Sequence, residues 1–131
     1  DDFLVGPKTT LLQPDELVAA IDIGSTRGNQ WFAKLGRRNA MVIAVCSLAG
    51  RLDEENGIAR IALGSAGPTI LRARQAENLL LEGAPAEEVA NEVVAAARAI
   101  GDHRASKEYR EHALRIIAGR MSSWLRENNA P

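Results

Sequence analysis

The stretch Met41-Val42-Ile43-Ala44-Val45-Cys46-Ser47-Leu48-Ala49-Gly50-Arg51-Leu52, then Asp53-Glu54-Glu55-Asn56-Gly57, then Ile58-Ala59-Arg60-Ile61-Ala62-Leu63, decides the fold. Residues 41–52 are almost continuously apolar and partly β-branched, which predicts a strand well covered by helices. Asn56-Gly57 is a strong hairpin signal. Residues 58–63 alternate apolar and polar, so the spacing predicts an antiparallel return.

Upstream, Pro14-Asp15-Glu16 reads as a turn, Leu17 to Ile23 as a short apolar strand, residues 24–29 as a loop and Trp31 to Leu35 as a further strand. Downstream, Gly64-Ser65-Ala66-Gly67-Pro68-Thr69 marks a switch to helices. Thr69 is a candidate N-cap for a helix running through Leu81 and closed by Gly83. Pro85, Glu87 and Glu88 open a second helix, with Val89, Val93, Val94, Ala97 and Ile100 as its apolar stripe and Gly101 as its stop. Ser106 can cap a third helix, whose apolar face is expected at Tyr109, Ala113, Ile116, Ile117, Met121, Trp124 and Leu125 over about four turns. Strands followed by helices predict an α+β fold, a small antiparallel sheet with helices packed on one face.

The 131 residues suit one domain, 1–131, divided into a lead-in over 1–15, a sheet over 16–64 and a three-helix part over 69–127. Sixteen basic residues against seventeen acidic ones leave no field to gather nucleic acid, and 4% aromatic content argues against base stacking. No apolar run approaches a membrane span and no signal peptide is visible. The lone Cys46 cannot form an internal disulfide, so it reads as a buried core residue in a cytoplasmic protein. The opening Asp1-Asp2-Phe3-Leu4-Val5-Gly6-Pro7-Lys8 reads like the interior of a longer chain.

Several motifs carry possible chemistry. Ile21-Asp22-Ile23-Gly24-Ser25-Thr26 has the form of the phosphate-1 loop of actin-like kinases and ATPases, but it is short and stands alone; a flexible loop after a strand end explains it as well. Gly64-Ser65-Ala66-Gly67 could hold an anion at a helix start, although it lacks the P-loop lysine and a strand-to-helix turn also accounts for it. Lys34, Arg37 and Arg38 are either a phosphate contact or a solvated turn, and local sequence leaves both open. His103 and His112 lack a metal-ligand pattern, and Glu108, Arg110 and Glu111 read as surface charges. No nucleophile–base–orienter set is visible, so no catalytic or metal-binding residue is assigned.

The ordered set Gly6-Pro7-Lys8-Thr9-Thr10, Leu12 to Leu17, Lys34-Leu35-Gly36-Arg37-Arg38-Asn39-Ala40-Met41, Leu63 to Thr69, Arg72-Ala73, Ala76 to Leu80, and Asp102-His103-Arg104-Ala105-Ser106 with Tyr109-Arg110 resembles the C-terminal domain of the FAD-binding subunit of molybdenum hydroxylases. This is the xanthine dehydrogenase and carbon monoxide dehydrogenase family. The resemblance implies a three- to four-stranded antiparallel sheet followed by three helices packed on it, a cofactor, FAD, held mainly by an upstream FAD-binding domain, and partners carrying molybdopterin and iron–sulfur clusters. It implies electron flow from those clusters through FAD to an acceptor, with Val18 and Lys34 as this domain's flavin contacts. The Ala-Gly-Gly-Thr and Ile-Gly-Gly-Asn motifs of the family's flavin pocket do not occur in the sequence. The expectation is therefore a chain without turnover of its own that helps close a flavin site. The alternatives are a docking module without cofactor and an actin-like nucleotide-binding fragment.

Overall fold

The computed structural model of the chain describes residues 3–38 and 42–128. Asn39, Ala40 and Met41, part of the basic turn and of the predicted strand start, lie outside the described residues. A small hairpin of β1 (Leu4–Gly6) and β2 (Thr9–Thr10) comes first. Then β3 (Asn29–Leu35), β4 (Cys46–Asp53), β5 (Ile58–Gly64) and β6 (Leu71–Arg72) form one antiparallel sheet in sequential order. Three helices follow, α1 (Arg74–Leu81), α2 (Ala86–Ala96) and α3 (Lys107–Glu127).

The predicted β4–β5 pair forms, with Asp53 opposite Ile58 across a four-residue loop rather than a two-residue turn. Asp53 accepts hydrogen bonds from the Asn56 backbone and side chain, and Gly57 takes φ +61, which a side chain would strain. Cys46, Leu48, Leu52, Ala59, Ile61 and Leu63 point to one face and are buried. On that face α3 packs against β3 and β4, α1 packs against β5, and α2 lies against both helices. A Cβ at Gly50 would collide with the Met121 sulfur, so glycine there lets α3 approach the sheet closely.

Five expectations need correction. Residues 17–23 form no strand: no neighbouring strand accepts or donates along them, and Leu17 and Ile23 are 90% and 85% exposed. The strand predicted from Met41 begins at Cys46. Thr69 caps nothing, because the chain first adds β6 to β5, and the Ala73 amide still donates to Ile61 before α1 starts at Arg74. Gly101 does not stop α2; the helix ends at Ala96 because the Arg98 amide is drawn to the Ala66 carbonyl, leaving Ile100 exposed. Ser106 caps α3 as expected, accepting from the Tyr109 amide, but the helix is 21 residues long and rotated from the predicted face. Arg110, Ala113, Leu114, Ala118, Met121 and Leu125 are buried, whereas Tyr109, Ile116 and Trp124 are exposed.

Candidate functional site

Among the described residues, no helix packs on the sheet's second face. Strand alternation and register place three rows on it: Gln30 opposite Arg51 opposite Arg60, Phe32 opposite Ala49 opposite Ala62, and Lys34 opposite Ser47 opposite Gly64. Phe32 is 65% exposed, and the two alanines beside it leave a flat apolar strip. A shallow groove of about 330 Å³ follows this strip and includes Gln30, Phe32, Arg51 and Arg60.

The rims of the face are polar and mostly basic. Arg51 donates through Nε to the Arg27 carbonyl at 2.7 Å and through Nη2 to Asp53 at 3.2 Å, which ties the incoming segment to β4. Lys34 Nζ donates to the Val42 carbonyl at 3.2 Å; an ammonium has three donors, so two remain for another acceptor. Val18 sits half exposed in the segment between β2 and β3 and belongs to no strand, whereas Lys34 is in the register of β3. The described contacts do not join the two residues.

Arg110 is a buried residue where the sequence predicts a surface charge. Its Nη1 donates to the Val45 carbonyl and, at 3.1 Å, to the Ser65 carbonyl, while Nη2 donates to Asp102 Oδ1 at 2.7 Å. One guanidinium thus joins the start of β4, the end of β5 and the approach to α3. Asp102 also accepts from the Arg104 side chain at 2.8 Å and from the Arg104 and Ala105 amides. Partial desolvation pushes the Asp102 carboxyl up, but the Arg104 side-chain and backbone bonds, with those from Arg110 and Ala105, hold it well below the usual carboxylate range. Cys46 lies in the core beside this cluster; burial pushes its thiol up and the Arg110 charge only partly opposes that, so it is an inert thiol rather than a nucleophile.

The other sequence candidates separate. Asp22 is exposed in an unpaired segment, so the strand that a phosphate-1 loop needs is missing. Gly64 to Gly67 lead into β6 rather than into a helix start. Arg37 donates weakly to the His103 carbonyl, and Arg37, Arg38 and Arg104 share a depression with Val42 and Ile43. Among the described residues no cluster of three or more His, Cys, Asp or Glu could hold a metal ion, and no helix is long and apolar enough to cross a membrane.

Residues 31–125 match the family described as the CO dehydrogenase flavoprotein C-terminal domain. No curated protein matches the sequence. Among solved structures, quinoline 2-oxidoreductase from Pseudomonas putida 86 superposes with a TM-score of 0.87 at 23% identity, over 98% of this chain and 47% of that one. Carbon monoxide dehydrogenase from Hydrogenophaga pseudoflava, in a form lacking the Mo-pyranopterin moiety of its molybdenum cofactor, gives 0.81 at 25% identity, over 94% and 46%. Reconstituted CO dehydrogenase from Oligotropha carboxidovorans gives 0.74 at 22% identity, over 98% and 48%. The chain spans about half the length of the structures it matches.

Proposed function

Because the chain belongs to the CO dehydrogenase flavoprotein C-terminal domain family, we propose that it forms one wall of an FAD site in a molybdenum hydroxylase and has no turnover of its own. The uncovered sheet face carries this reading. A flavin presents a flat aromatic ring system and a charged diphosphate, and large cofactors are buried between walls from more than one element. The Phe32–Ala49–Ala62 strip offers flat apolar surface, and the Gln30–Arg51–Arg60 and Lys34–Ser47 rows offer donors and positive charge beside it. These residue types fit such a ligand, with Lys34 Nζ the donor best placed to meet a flavin oxygen and Val18 a second contact on the leading segment.

When bound, FAD would accept electrons from iron–sulfur clusters and pass them to an acceptor. The chain's own residues position, exclude water and donate hydrogen bonds. The segment 17–23 completes the reading. Leu17, Val18, Ile21 and Ile23 are exposed and belong to no strand, as expected of a segment whose pairing edge lies in an upstream FAD-binding domain. Partner domains or subunits carrying molybdopterin and iron–sulfur clusters, in the cytoplasm, complete the assembly. A second reading, a docking module without cofactor, draws on the exposed Ile116 and Trp124 of α3, which line a groove with Arg115 and Arg120.

The test is an absorbance spectrum after gel filtration. The chain alone should emerge without flavin, and when joined to an FAD-binding region it should retain one equivalent. Lys34→Ala should then weaken retention about tenfold, the scale of one charge-assisted hydrogen bond. Stoichiometric flavin on the chain alone, or full retention in the Lys34 variant, would contradict the reading. Assembly with partners that is indifferent to FAD would favour the docking module.

A further inference from the structure

A second cavity shares no lining residue with the sheet groove. This cleft of about 590 Å³ lies between the β1–β2 hairpin, the turn after β5 and the connection from α2 to α3. Arg98, Arg104 and Arg110 line it, and Asp102 is the one acidic residue among its lining. Three guanidinium groups against one carboxylate leave a surplus of two positive charges, in a chain whose net charge is −1.

The local carboxylate does not cancel that surplus, because Asp102 is already shared by Arg104 and Arg110. Arg110 is 3% exposed, and its Nε is buried without a hydrogen-bond partner. The Arg98 side chain is exposed and makes no hydrogen bond among the described residues. Leu4, Ile70 and Ile100, all exposed, give the same cleft apolar walls. Gly64 to Gly67, a candidate anion turn by sequence, contributes Ser65 and Gly67 to the lining although no helix starts there.

We propose that this cleft binds a phosphate group, either free or carried by a nucleotide, with Arg98 as its principal ligand and Arg104 as the second. Guanidinium forks match phosphate oxygens two at a time, and a surplus of two charges suits a dianion. The buried Arg110 keeps the floor of the cleft positive. The apolar walls leave room for an organic group attached to the phosphate.

The test is isothermal calorimetry on the purified protein with inorganic phosphate, pyrophosphate and ADP, at constant chloride. At least one should bind saturably. Equal binding of phosphate and ADP identifies free phosphate as the ligand, and tighter ADP binding identifies a nucleotide. Arg98→Ala should weaken binding tenfold or more with an unchanged circular dichroism spectrum, and Arg98→Lys should weaken it less, because charge remains and the fork is lost. Arg37→Ala, in the neighbouring depression, should change binding less than twofold. No saturable binding of the three anions, an Arg98→Ala variant within twofold of the parent, or an equal loss in Arg37→Ala would overturn the proposal. Flavin retention is not part of the readout, so the fate of the FAD wall does not bear on the result.

Discussion

The two faces of the four-stranded sheet come from the same strands and meet opposite ends. One side of β4 presents Cys46, Leu48, Gly50 and Leu52 to three helices and is buried. The other side presents Ser47, Ala49 and Arg51, with Phe32 beside them on β3, to no helix or second sheet among the described residues. The covered face is a complete core: α3 closes on it through Gly50 and is held by Arg110. The bare face has the make-up of an interface, a flat apolar strip bordered by polar and basic rows. The 17–23 segment, in no strand and with Leu17 and Ile23 largely exposed, shares that exposure.

The sharpest way to break that contrast is at Arg110. Arg110→Ala should destabilise the fold by about 3–5 kcal/mol in urea, because it leaves Asp102 and two carbonyls without their shared partner. A loss under 1 kcal/mol would mean that the covered side does not depend on this tie. A smaller effect comes from Glu77, whose buried carboxylate accepts from the Ile61 amide at 2.8 Å and from both Arg72 nitrogens at 2.6 Å, at the sheet edge beyond β6. Burial pushes the Glu77 carboxyl up, but the Arg72 and Ile61 bonds outweigh it and hold it below its ordinary value of 4.5. With the folded pKa below the unfolded one, the stabilisation is fully present above that value and is lost as pH falls through the folded pKa. Glu77→Gln should cost about 1–3 kcal/mol at pH 7. Its stability should converge with the parent's in acid, and a parallel pH profile would refute the assignment. The smallest effect is expected on the bare face, where Phe32→Ser should change the stability of the chain alone by less than about 0.5 kcal/mol. A loss of 2 kcal/mol there would show that Phe32 belongs to this chain's own core.

The same contrast explains how much was legible in the sequence. The β4–β5 hairpin was, because period-two alternation, apolar run and Asn-Gly turn all agree within 20 or so residues. Ser106 as the α3 cap was legible for the same reason: its partner is three residues away. The rotation of α3 was not, since it follows from Arg110 reaching carbonyls 65 and 45 residues distant. The start of α1 was hidden because Ala73 carries no capping side chain and β6 is only two residues long. Leu17 to Ile23 has strand composition, but strand formation needs an edge to pair with. Lys34 is a candidate flavin contact through family resemblance rather than local pattern. The Arg98–Arg104–Arg110 cleft left no recognisable motif, because these arginines, from the α2–α3 connection and the first turn of α3, meet the β1–β2 hairpin and the turn after β5 only in the fold.

The central proposal is that an upstream FAD-binding region covers both the bare sheet face and the 17–23 segment. Amide hydrogen exchange on the chain alone and on the chain joined to that region tests it directly. The account predicts fast exchange at Leu17 to Ile23 in the chain alone and strong protection there on joining, with slower exchange along β3 and little change in α1 to α3. Unchanged exchange over 17–23 and β3, with new protection confined to the helices, would contradict it.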